Sequence, residues 1–176
     1  RVLFRSRPFN RINGFTMAHG LRYSRGVMSK LIKRRRFTAD DYQLMGKAGI
    51  LVAEDRVELI YGEIVKMSPI GDPHNAAVDR ANKALVFAAG DAAIVRVQGS
   101  IRLDLYNEPQ PDILLLKPRD DFYAKGGAKP KDAILVLESA DSSLRYDRKV
   151  KARLYAEMGI PEYWVVDIDR KSTRLN

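Results

Sequence analysis

Residues 111–116 read Pro-Asp-Ile-Leu-Leu-Leu, and residues 134–138 read Ile-Leu-Val-Leu-Glu. Each is a short apolar run with one carboxylate at its end. Asp112 opens the first, behind Pro111, and Glu138 closes the second. Near-continuous hydrophobicity over four or five positions predicts strands covered on both faces. A third run, residues 163–168, predicts a third buried strand of the same kind. A carboxylate at the end of such a strand needs a partner, because burying its charge unpaired is costly.

Outward from these runs, the remaining elements follow local rules. Residues 143–158 predict a helix closed by Gly159 and stopped by Pro161, with Asp147, Lys151 and Tyr155 on one stripe at i, i+4 and i+8. Residues 74–89 predict a second helix. His74, Val78, Ala81, Leu85 and Ala88 recur on one face, with His74 at the start of that face. Thr38, followed by Asp40 and Asp41, reads as the N-cap of a helix reaching about Ala48. Residues 57–67, VELIYGEIVKM, predict a tight hairpin turning at Tyr61-Gly62. Period-two alternation from Val95 to Leu105 predicts a long half-wet strand, bent at Gly99. Residues 117–131 predict a polar, mobile loop with Gly126-Gly127. The order specifies a mixed α/β domain, a central sheet flanked by helices with an N-terminal helix and β-hairpin ahead of it.

The chain has 176 residues, no cysteine and a formal charge of +9. Without cysteine there is no disulfide framework, thiolate zinc site, iron–sulfur cluster or cysteine nucleophile. The apolar runs are too short to span a bilayer, so a soluble cytoplasmic protein with no membrane partner is expected. The positive charge invites a nucleic-acid reading, but it sits at the ends. Residues 1–27 hold six arginines and no acid, while residues 28–168 hold 22 basic against 21 acidic residues. The two tips, RVLFRS and DRKSTR, can be encoded by opposite strands of one short DNA segment that resembles a sequencing adapter. Residues 1–28 are therefore expected to be a non-native or disordered leader, adapter-like over 1–6, with the natural start at Met28 or Met17. Residues 29–168 form the native domain, incomplete at its C-terminus, and residues 169–176 an adapter-like tail. An arginine-rich, acid-free leader also fits an organelle transit peptide, a weaker reading. The run KLIKRRR at 30–36 reads as a solvated tail, or as a phosphate contact.

If the two carboxylate-bearing strands are neighbours, Asp112 and Glu138 project into one space, which Lys151 can reach from the following helix. Phosphodiester hydrolysis uses such a set. Two carboxylates hold Mg²⁺ or Mn²⁺, the metal polarises the phosphoryl oxygen, and an ammonium offsets the growing negative charge.

Four blocks together, RVELIYGEIVKMSP (56–69), EPQPDILLL (108–116), ILVLESADSS (134–143) and YDRKVKARLYAEMGIPEYWVVD (146–167), closely resemble the Uma2 family. That family groups with restriction endonucleases of the PD-(D/E)XK nuclease fold. The resemblance covers about residues 36–168. It implies that Pro111-Asp112 is the PD motif, with Asp112 a metal ligand, and that Glu138 is the acid of the (D/E)XK element and the second ligand. The lysine of that element belongs two residues later, where this chain has Ala140. Lys151 matches the position of a lysine migrated to the next helix. Lys149 competes but points off the Asp147–Tyr155 stripe. His74, Glu58 and Glu63 match recurrent family positions with auxiliary roles. DNA is the implied partner, and cutting both strands would favour a two-fold homodimer.

Each residue also has a plainer reading. Asp112 could end a turn, Glu138 and Lys151 could form a structural ion pair, and Lys151 alone could be solvated. His74 could be a helix-start hydrogen-bonding residue, and Glu63 a hairpin residue. Tyr163 and Trp164 read as core and sheet residues before a base-stacking platform. The sequence thus supports a metal-dependent endonuclease first. A catalytically silent nucleic-acid-binding or accessory module on the same fold comes next, and a structural protein without nucleic-acid function third.

Overall fold

The Thr38 cap behaves as its sequence predicts. In the computed structural model, which describes residues 34–168, Thr38 Oγ1 accepts the Asp41 N–H at 3.0 Å and Asp41 Oδ2 accepts the Thr38 N–H at 2.9 Å. This capping box starts α1 (Ala39–Lys47). The expectations for the leader and for the tail from residue 169 lie outside the described residues, as does KLIK (30–33) of the basic run. Residues 36–168 fall within one compact unit, and of the unit before it only Arg34 and Arg35 are described, both exposed.

Strands β1 (Val57–Ile60) and β2 (Glu63–Lys66) pair antiparallel around Tyr61-Gly62. Both turn residues have positive φ, 51° and 78°, the geometry whose twist matches a hairpin. At position 62 a Cβ would also come within 2.7 Å of Arg36 Cβ, so glycine is required twice over.

Helix α2 (Asp72–Ala89) leads to β3 (Ile94–Val97), β4 (Ile113–Leu116) and β5 (Ala133–Ala140). A helical crossover then returns the chain to β6 (Glu162–Asp167). The sheet order is β3-β4-β5-β6, antiparallel in the first two pairs and parallel in the last. α2 covers one face through Val78, packed with Ile113 and Leu137. The other face carries the main core, in which Leu114, Val136, Leu154 and Tyr155 are fully buried. The two central strands are therefore sandwiched, which explains their unbroken apolar runs.

Several expectations need correction. The long strand from Val95 stops at Val97, where Gln98 enters a left-handed conformation (φ 50°). Ile101 and Leu103 are still buried, because their N–H groups pair with the Pro109 and Asn107 carbonyls instead of a strand partner. Val97 and Leu105, on the same alternation, are 42% and 48% exposed. The strand carrying Glu138 does not end there; β5 runs two residues further. β6 is half-wet rather than buried, with Trp164 50% exposed, because it ends the sheet order among the described residues. The polar segment 117–131 sends Tyr123 and Ala128 into the core and is pinned by Asp121, which accepts the N–H groups of Tyr123 and Lys125. Ala88, assigned to the core face of α2, is exposed.

The helix predicted over 143–158 is three pieces: α3 (Leu144–Tyr146), a π-turn (Asp147–Lys151) and α4 (Ala152–Glu157). The Ala152 N–H reaches back five residues to the Asp147 carbonyl, which also accepts the Tyr163 hydroxyl at 3.1 Å. Widened turns of this kind are uncommon and recur at functional sites.

Candidate active site

Strand register brings the two carboxylates together. β4 and β5 pair Ile113 with Leu137, and one further step along that ladder sets Asp112 opposite Glu138. Asp112 is held at both oxygens. Its Oδ2 accepts the Ser139 main-chain N–H at 2.8 Å, and its Oδ1 lies 3.0 Å from His74 Nε2. With a carboxylate as acceptor, Nε2 is the donor. His74 is the third residue of α2, placed over the strand ends by the turn of Gly71, Asp72 and Pro73.

Glu138 meets the crossover. Lys151 Nζ donates to its Oε1 at 3.0 Å, and the Tyr155 hydroxyl donates to the same oxygen at 3.2 Å. Lys151 Nζ also lies 3.0 Å from Glu58 Oε2, brought in by β1. The Gln110 N–H donates to that Glu58 oxygen at 3.3 Å, tying β1 to the segment before Asp112. One turn before Lys151, Asp147 accepts the Ser143 hydroxyl at 2.6 Å. Glu58, Asp112, Glu138, Asp147 and Lys151 are each no more than 6% exposed. They line one cavity of about 270 Å³ with His74.

Four buried carboxylates thus face one buried ammonium and one imidazole. Burial, with Asp112, Glu58 and Asp147 nearby, pushes the Glu138 carboxyl up to about 8 against the pull of Lys151. Burial also raises Asp147, partly offset by its Ser143 hydrogen bond and by Lys151. Burial opposes the Lys151 charge, but Glu138 and Glu58 outweigh it and hold the ammonium above its ordinary range. Over the whole lining, five acids (Glu58, Asp112, Glu138, Asp141, Asp147) stand against Arg56, Lys66 and Lys151, so acids outnumber fixed cations and a bound cation would reduce the imbalance.

No group of three or more His, Asp or Glu among the described residues is arranged to enclose a metal ion. A hard cation that keeps most of its water needs only one or two carboxylates. Asp112 and Glu138 supply two, and both donors on Glu138 fall on Oε1, leaving Oε2 clear of them. The donor set fits Mg²⁺ or Mn²⁺.

Asp112, Glu138 and Lys151 therefore converge, and His74 and Glu58 join them. Glu63 does not. It is exposed on β2 opposite Ile60 and lines no part of this cavity; register puts it on the face of Glu58, but it stands at the turn end of the hairpin, one pair-step beyond Val65, which does line the cavity. Lys149 is exposed. Ala140 is fully buried and shares the Glu138 face of β5 by alternation, so position 140 borders the region that Lys151 reaches. Sequence reasoning put Asp147 and Tyr155 on the Lys151 stripe without giving them a role. Their spacing of four residues either side of Lys151 was the available signal. The Ser139 N–H carried none.

Residues 40–175 match the model of the Uma2 family, described as "Putative restriction endonuclease". The fold is similar to the crystal structure of a "putative nuclease belonging to DUF820" from Anabaena variabilis, with a TM-score of 0.55 and 16% identity over 74% of each chain. No curated protein matches the sequence. No helix among the described residues is long and apolar enough to cross a membrane.

Proposed function

We propose that this chain, which belongs to the Uma2 family, is a metal-dependent endonuclease that hydrolyses DNA phosphodiester bonds. The observation that carries the reading is the convergence of Asp112, Glu138 and Lys151 in one cavity, from three separate elements. Asp112 and Glu138 would hold Mg²⁺ or Mn²⁺. When bound, the ion would polarise a phosphoryl oxygen and lower the pKa of its water.

The protein's own groups do the positioning. The Ser139 N–H and His74 Nε2 each fix one oxygen of Asp112, so its carboxylate has one orientation. Lys151 offsets carboxylate charge that would otherwise repel a phosphodiester. Tyr155 holds the Glu138 oxygen that Lys151 also uses. The migrated ammonium occupies the role that a lysine at position 140 would fill in the PD-(D/E)XK pattern.

A second reading, a catalytically silent nucleic-acid-binding or accessory module, draws on Ala140 standing at that position. Nicking of supercoiled plasmid in Mg²⁺ or Mn²⁺ separates the two. The nuclease reading expects nicking by the wild-type chain that Asp112→Ala and Glu138→Ala abolish. Absence of nicking with either metal overturns it in favour of the silent module. The same assay on RNA tests the substrate class, and sedimentation with and without duplex tests a two-fold dimer.

A further inference from the structure

Lys151 is shared. Its Nζ stands 3.0 Å from Glu138 Oε1 and 3.0 Å from Glu58 Oε2, and both acids are buried. A carboxylate that accepts a short ammonium contact is less available to a metal ion, since both compete for the same negative charge. A lysine paired with Glu138 alone would therefore work against the ligand role of that residue. Glu58 eases the conflict by offering the ammonium a second acid at the same distance, an ion pair beside the hydrogen bond to Glu138. Glu58 is itself held in place, since its Oε2 also accepts the Gln110 N–H, two residues before Asp112. None of the contacts reaches Asp112.

The geometry points to Glu58 as a positioning residue that retains the Lys151 ammonium while Glu138 turns to a divalent cation. This deepens the nuclease reading and rests on its metal site, but it assigns Glu58 no contact with the metal. A Glu58 acting through Lys151 matters only while Lys151 is present, and a Glu58 that ligates the metal matters in either background.

A double-mutant cycle reads this directly. Mn²⁺ binding is followed by the loss of the free-ion paramagnetic resonance signal, without any need for cleavage. Glu58→Gln, close in shape and uncharged, is expected to weaken Mn²⁺ binding about 10-fold, in the range found for residues that support metal ligands. In a Lys151→Met background the same change is expected to cost no more than about 2-fold, the residue of lost charge nearby. Equal losses in the two backgrounds would make Glu58 a ligand and overturn the inference, as would no loss in either. Should Glu58→Gln fail to fold by circular dichroism, Glu58→Asp keeps the charge but draws it back from Nζ. It is expected to give a smaller loss that likewise vanishes with Lys151→Met; a loss that persists there overturns the inference. Absence of Mn²⁺ binding by the wild-type chain removes this inference together with the metal-centred reading. Mn²⁺ binding without plasmid nicking removes the nuclease reading and leaves the inference in force.

Discussion

Two ion pairs in this molecule use similar groups to opposite ends. Arg119 and Asp121 are two residues apart on a surface segment, with Arg119 Nη2 donating to Asp121 Oδ2 at 2.8 Å and both side chains about a third exposed. Lys151 and its two acids come from a π-turn, a central strand and a hairpin, and all three are buried. The surface pair is local, screened by water and sets the shape of its own segment. Arg119, with help from main-chain N–H groups, holds the Asp121 carboxyl well below its ordinary range, so the pair has no proton to exchange near neutral pH. The buried set has the reverse character. Burial raises Glu138, and charge must be balanced among groups largely withdrawn from water. Location therefore separates a locally screened contact from a charge cluster drawn into the protein.

The contrast can be broken most forcefully at Lys151. Lys151→Met leaves Glu58 and Glu138 buried without their cation, and is expected to cost about 3–5 kcal/mol in urea unfolding. A loss below about 1 kcal/mol would place the trio in effective contact with solvent, like the surface pair.

Glu138 supplies a pH test. Its folded pKa of about 8 lies above the ordinary 4.5, so between those values the folded protein holds a proton that the unfolded chain has released. Stability contributed by that proton is present in full below about 4.5 and falls as pH rises toward 8, by up to about 1.4 kcal/mol per pH unit. Glu138→Gln should flatten this slope in urea melts between pH 5 and 8. An unchanged slope would show that Glu138 is not its source.

Tyr155→Phe sharpens the comparison further. It removes a buried donor from Glu138 Oε1 and is expected to destabilise by about 1–2 kcal/mol, with little change in far-ultraviolet circular dichroism. At the other extreme, Arg119→Ala should leave the thermal midpoint of the whole domain unchanged within error. A clear drop would mean that the 117–131 segment supports the core more than its exposed ion pair implies.

Much of the fold was legible because its signals were local. Thr38 with Asp41, and Tyr61 with Gly62, carry their structure within four residues. The sandwiched strands announced themselves by unbroken hydrophobicity, and Asp112, Glu138 and Lys151 by lying beside it. The stretch after Val97 misled for a physical reason. Alternation shows which side chains go inward and says nothing about which backbone groups they pair with. Ile101 and Leu103 go inward while their N–H groups bond a nearby irregular segment. Asp147 stayed silent because an acid on a helix is ordinarily solvated, and only the crossover's seat against the sheet buries it. Glu63 rests on family position alone, and its place beside the Tyr61-Gly62 turn keeps it out of the cavity although register puts it on the Glu58 face.

The widened turn at residues 147–151 makes angular phase the variable that decides whether this domain has a usable amine. The widened turn takes up one extra residue, so the same residues wound as ordinary α-helix would carry everything beyond them about 100° further around the axis. Nζ would then leave both of its acids although every side chain of the cluster was still encoded. Loss of one residue together with the widening would, by contrast, keep the phase, so it is the winding of this short crossover, more than its length, that delivers Lys151 to Glu58 and Glu138.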